Sequence, residues 1–163
     1  MAVLKILNGD HRYFNDDAPE KLVQYIMNPN KAISGYVGGT TTIENAAAKM
    51  HKTYEMFNKR HGIKVRHFVL SFAPDEVENA SDANAIAMMV AIFFVGEYDI
   101  FFAVHENRKN LHIHFVMNNV SHLDGHRYKG TRKEFFDFVH HLTDKLSEWD
   151  IHDLKYVSAC DKF

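Results

Sequence analysis

His105, His112 and His114 fall on either side of a short polar turn, and their spacing suits metal binding. Phe101 to His105 is apolar and aromatic, Asn107 to Asn110 is polar, and Leu111 to Asn118 alternates, a pattern that predicts strand, turn and strand. A period of two directs Leu111, Ile113, Phe115 and Met117 to a core and His112, His114, Val116 and Asn118 to the opposite face. A hairpin loop of six residues, 106–111, sets His105 opposite His112 and Ala103 opposite His114. The small Ala103 then leaves room beside the imidazoles. Three imidazoles converging in this way can hold one metal ion. With 12 histidines in the chain, close pairs arise by chance. Three on one face beside a polar loop favour a metal site over half-buried strand polarity.

Other residues could serve chemistry near such an ion. Tyr25 offers a phenol, whose pKa of about 10 calls for a nearby cation or base before it can attack at neutral pH. It is one of seven tyrosines, and the local pattern does not single it out. Glu76 follows the strand end Ser71-Phe72-Ala73-Pro74 and could act as a base, although a solvated loop carboxylate is the commoner case. His67 and Ser71 share a predicted strand face that could join the histidine cluster, as could Asn118. The most basic stretch, His126 to Lys133, mixes Arg127, Lys129, Arg132 and Lys133 with Tyr128. Cations interleaved with an aromatic suit a phosphate backbone and a stacked base, and equally suit a solvated helix start.

Positioning these groups requires a sheet and several helices. Val3 to Leu7 reads as a first strand, stopped by Asn8-Gly9-Asp10. Asp16 or Asp17, Pro19 and Glu20 open a helix whose buried stripe is Leu22, Val23, Ile26 and Met27, with Asn28-Pro29-Asn30 as its stop. Gly35, Gly38 and Gly39 suggest a loop. Thr41-Thr42-Ile43-Glu44 offers a capping box for a helix to about Arg60. Lys64 to Phe72 alternates as a strand. Ser81 is expected to cap an apolar helix to about Gly96, and Thr131 one running to about Trp149. A turn is expected at Asp124-Gly125, and Leu154 to Val157 suits a closing strand. Helices flanking a central antiparallel sheet make this an α+β sandwich.

The composition narrows the class. The chain has 163 residues, 46% hydrophobic and 25% charged, which predicts a single globular domain over 1–163. A net charge of −2 argues against general nucleic-acid binding, so a DNA role rests on local patches. The single cysteine, Cys160, excludes a disulfide framework and agrees with a reducing cytoplasm. The N-terminus is too short for a signal peptide and Ala85 to Val95 too short to span a bilayer, so a cytoplasmic protein without membrane insertion is expected.

His105-Glu106-Asn107-Arg108-Lys109-Asn110-Leu111-His112-Ile113-His114-Phe115-Val116-Met117-Asn118 resembles the third motif of plasmid mobilisation relaxases of the MobA type, which are HUH endonucleases. Lys21 to Lys31 resembles the first motif, whose tyrosine is the nucleophile, and His67 to Glu76 the second. Asn118 to Gly125 extends the likeness, which covers roughly Tyr25 to Val157. The resemblance implies site- and strand-specific DNA nicking and rejoining at a transfer origin, the step that initiates conjugative transfer. Tyr25 would form a 5′-phosphotyrosyl link. His105, His112 and His114 would hold Mg²⁺ or Mn²⁺, and the ion would polarise the scissile phosphate. Lys31 and the basic loop residues would contact single-stranded or locally melted DNA, and accessory relaxosome proteins could bring the domain to it. Glu106 stands where an Asp is common, and the chain ends at Phe163 without the C-terminal region usual in these relaxases.

Three rival readings use the same residues. A rolling-circle replication initiator would use the same chemistry with a tyrosine after the histidines, for which Tyr128 is the candidate. A non-catalytic DNA-binding accessory module would keep the fold without nicking. A histidine-cluster phosphoesterase unrelated to transfer ranks behind both.

Overall fold

In a computed structural model, residues 1–7, 11–40, 42–106 and 109–158 are described. The expected strand stop at Asn8-Gly9-Asp10, the capping Thr41, Asn107 and Arg108 of the polar turn, and Cys160 lie outside them. Within them the chain forms β1 (Ala2–Ile6), α1 (Ala18–Ile26), β2 (Ala32–Gly39), α2 (Ile43–Met56), β3 (Val65–Ser71), α3 (Ala80–Val95), β4 (Ile100–His105), β5 (His112–Asn118), α4 (Arg132–Ser147) and β6 (Leu154–Ser158). The α+β class expected from the pattern is the one observed.

The six strands form one sheet in the order β2-β4-β5-β3-β1-β6. All neighbours are antiparallel except β1 and β6, which run parallel at one edge and depart from a purely antiparallel sheet. The departure follows from α4, which carries the chain from β5 to that edge and delivers β6 alongside β1. Strand alternation gives each face its own core. On one side, α3 and α4 bury Leu4, Phe68, Leu70, Phe102, Ile113 and Phe115. Phe68 stacks on Phe115 there at 4.7 Å. On the other side, Leu22, Val23 and Ile26 of α1 and Met50 and Tyr54 of α2 pack on Phe101, Ala103 and Val116.

Four local readings change in the structure, the first being the α2 capping box, since the N-cap is Thr42 and its side chain makes no capping bond. The glycine-rich stretch expected as a loop is strand β2, paired with β4. A Cβ on Gly38 would lie 2.8 Å from the Phe102 ring, and one on Gly39, whose φ is +141°, would lie 2.2 Å from the Ile100 carbonyl. These glycines allow close approach of two strands. Helix α2 stops at Met56 rather than near Arg60, because Asn58 adopts a left-handed conformation with φ of 53°. The cap of α3 is Asn79, whose side chain accepts from the Asp82 amide at 2.9 Å, in place of Ser81. By contrast, Thr131 and Glu134 form the full capping box at the start of α4.

Candidate metal and nucleophile site

The β4–β5 hairpin sets His105 opposite His112 and Ala103 opposite His114, the register expected from the six-residue loop. One ligand nitrogen from each histidine lies within 4.8 Å of the others, and all three residues are buried. Nitrogens sharing one ion through bonds of about 2.0–2.2 Å lie about 3–3.5 Å apart, so the rings must close in by about an ångström to hold it.

Neighbouring groups prepare each imidazole. His105 Nε2 lies 2.6 Å from the Ile26 carbonyl, which can only accept, so the ring donates there and keeps its Nδ1 lone pair. His112 donates from Nδ1 to the Asn110 carbonyl at 3.2 Å and keeps its lone pair on Nε2. His114 Nδ1 is 2.9 Å from His67 Nε2, and His67 Nδ1 is 3.3 Å from the Tyr13 hydroxyl. With His114 ligating through Nε2, its Nδ1–H donates to His67, and the tautomers along this line are set in turn. Burial, reinforced by the nearby histidines, pushes the His114 pKa down to about 2. Burial also holds His105 below the ordinary histidine value, opposed by its bond to Ile26. Neutral imidazoles are the form that binds a cation. The residues fit a divalent metal.

Helix α1 brings Tyr25 to the same place. Leu22, Val23 and Ile26 are buried, which leaves Tyr25 on the outer side of the stripe with 46% of its surface exposed. The bond from His105 to Ile26, the next residue, ties this helix end to a ligand. The Tyr25 ring meets His114 edge-on at 5.7 Å and His67 at 6.1 Å. After the helix, the Lys31 amide donates to the Asn28 carbonyl and folds the chain back, so that Lys31 Nζ sits 4.4 Å above the Tyr25 ring.

These groups line one cavity of about 470 Å³. Its walls carry the three histidines, Tyr25 and Ser71, together with Lys5, Lys31 and Lys109. No carboxylate lines it among the described residues. An ion held there would add to three lysine charges, and the cavity suits a polyanion.

The other sequence candidates lie elsewhere. Glu76 is outside the lining, with one carboxylate oxygen accepting from the Ala73 amide at 2.7 Å and the other paired with the Met1 amino group. Asn118 occupies the far end of β5, where its side chain accepts from the Val120 amide. Arg127 donates to the Lys59, His61 and Ile63 carbonyls, Lys133 pairs with Asp137 at 2.6 Å, and Lys129 is exposed. Arg132 and Tyr128 line a separate cavity on the α3/α4 side of the sheet, and burial pushes the Tyr128 phenol up to about 12. Sequence reasoning passed over Lys5, Lys109 and Tyr13. The same period of two that orders the histidines would have placed Lys5 on a definite face of β1, but not that face beside theirs.

The family model for the relaxase MobA/VirD2-like nuclease domain matches residues 25–148. Among curated proteins, the group II intron-interrupted relaxase LtrB of Lactococcus lactis subsp. cremoris, strain MG1363, is 23% identical over 142 residues. LtrB from L. lactis subsp. cremoris without a strain designation matches to the same degree. Each alignment covers 70% of this chain and 25% of the relative, so the chain spans about a quarter of the length of the curated relatives it matches. Among the described residues no helix is long and apolar enough to cross a membrane.

Proposed function

The chain belongs to the MobA/VirD2-like relaxase nuclease family, and from that premise we propose that it nicks and rejoins one DNA strand at a transfer origin, with Tyr25 as the nucleophile. The observation that carries this reading is the shared cavity: an exposed phenol packed edge-on against His114, under Lys31 and beside three histidines able to hold one ion.

In the proposed reaction the Tyr25 hydroxyl oxygen attacks the scissile phosphorus. The bond from phosphorus to the 3′-oxygen breaks, leaving a 5′-phosphotyrosyl link and a 3′-hydroxyl that takes up the proton lost by the phenol. The link conserves the energy of the phosphodiester, so attack by the 3′-hydroxyl at the same site reseals the strand. A bound Mn²⁺ or Mg²⁺ would supply charge to the phosphate oxygens as they become more negative. His105, His112 and His114 would hold that ion, their rings oriented by the Ile26 and Asn110 carbonyls and by His67. Lys31 orients the phenol and, with Lys5 and Lys109, offers cations to the flanking phosphates. Glu76 is not needed as base, since its carboxylate is committed to the loop amide and the Met1 amino group.

The test is incubation with Mn²⁺ and labelled single-stranded transfer-origin oligonucleotides, read on a denaturing gel. A metal-dependent covalent band is expected, lost in Tyr25→Phe and kept in Tyr128→Phe. A band that survives Tyr25→Phe and disappears in Tyr128→Phe would instead support the rolling-circle arrangement. DNA binding with no covalent product would favour an accessory module.

A further inference from the structure

The histidine face of the sheet is covered over only part of its width. Helices α1 and α2 seat on Phe101, Ala103 and Val116 of β4 and β5. On the same face of β1 and β6, Val3 is half-buried while Lys5, Lys155 and Val157 are exposed. The reverse face of β1 is closed, with Ala2 and Leu4 fully buried, while on β6 Leu154 is half-buried and Tyr156 exposed.

Strand register joins this open area to the site. His114 pairs with Val69, Val69 with Lys5, and Lys5 with Val157. One row along, His112 pairs with Ser71, Ser71 with Val3, and Val3 with Lys155. Paired residues share a face, so two adjacent rows form a lane from the histidines to the sheet edge, about 14 Å long at the usual strand spacing. Among the described residues, neither Lys5 nor Lys155 has an ion-pair partner. Lys133, in the basic stretch before α4, is paired with Asp137. The lane also has a boundary: Glu76 pairs with the Met1 amino group, and Asp75 and Asp153 act on that same group. Those carboxylates disfavour a polyanion at the amino end of β1 and leave the Lys5 side open.

We propose that single-stranded DNA leaves the catalytic cavity along this lane, its phosphates on Lys5 and Lys155 and its bases against Val3 and Val157. The inference rests on the relaxase reading and names the surface that reading leaves unspecified. Lysines alternate with small apolar side chains, and the one hydroxyl between the histidines and the lysines, Ser71, can bond any base edge. Binding along the lane is therefore tolerant of sequence, and discrimination is left to the cavity.

The test is fluorescence anisotropy with a labelled oligodeoxythymidylate of about 16 nucleotides, measured across a salt series. Lys155 does not line the cavity, so Lys155→Gln reads the lane alone. Its affinity is expected to fall about threefold, with the salt slope reduced by about 0.7. Lys5→Gln/Lys155→Gln should weaken binding about tenfold and reduce the slope by about 1.4. Lys129→Gln/Arg132→Gln, on the other side of the sheet, should change neither. Unchanged binding in both lane variants overturns the proposal, as does a larger loss in the Lys129/Arg132 pair. Adduct formation with origin DNA is measured in parallel. A wild-type protein that forms the adduct while the lane variants bind normally loses only the lane. One that forms no adduct and binds no single strand loses the relaxase reading as well.

Discussion

The two faces of the sheet are built from the same strands and behave as opposites. Along β5, Ile113, Phe115 and Met117 enter a core of stacked rings closed by α3 and α4. His112 and His114, alternating with them, turn toward a cavity walled by lysines and bounded by α1. Both sets are buried, so burial alone does not separate structure from function. The difference lies in what meets the side chain. Phe115 is surrounded by matched apolar surface, whereas His114 meets a second imidazole and a tyrosine edge. Buried polarity that is hydrogen-bonded yet not needed for packing marks the working face.

Adjacent substitutions should break this contrast if it is wrong. Phe115→Ala is expected to cost about 3–5 kcal/mol in denaturant unfolding, with Mn²⁺ affinity retained by the folded fraction. His114→Ala is expected to lower Mn²⁺ affinity by more than about a hundredfold in titration calorimetry while the protein stays folded. If Phe115→Ala instead removed metal binding from a protein that is still folded, the two faces would not be separable.

A smaller effect concerns pH. Folded His114 binds a proton only far below the ordinary histidine value, and His105 also below it, both through burial. The unfolded chain takes up protons from about pH 6.5 downward, and the folded site does not. The histidines' contribution to stability is therefore fully present above pH 6.5 and lost as pH falls toward the folded values. Melting curves of metal-free protein should show a lower Tm at about pH 5 than at about pH 8. The difference should shrink in His114→Gln. The smallest effect belongs to the closed face: Thr131→Ala removes the α4 cap and should cost about 1 kcal/mol without changing metal affinity.

The histidine hairpin was legible because its information is local. Once the loop is taken as six residues, a period of two decides which residues oppose each other, and the observed register agrees. Thr131 and Glu134 were legible for the same reason, as both partners of the capping box lie in one turn. Gly38 and Gly39 were misread because a glycine pair looks like a loop until the strand it must approach is known. Ser81 was a sound cap by type, and Asn79 took the position because the helix starts two residues earlier than its apolar run suggested. Tyr25 stood out only through family likeness. Its amphipathic helix predicts an exposed side chain and not what that side chain faces.

By itself the sequence determined the α+β class and the faces of the strands and, for a loop of six residues, the pairing of His105 with His112 and of Ala103 with His114. These depend on periodicity, turn length and capping, all set within a few residues. Only the tertiary structure decided that β3 lies beside β5 and β1 beside β3, that α1 docks Ile26 on His105, and that Lys31 returns over Tyr25. Those arrangements join residues far apart in the chain. They follow from which apolar surfaces bury one another best, a choice that no local pattern records.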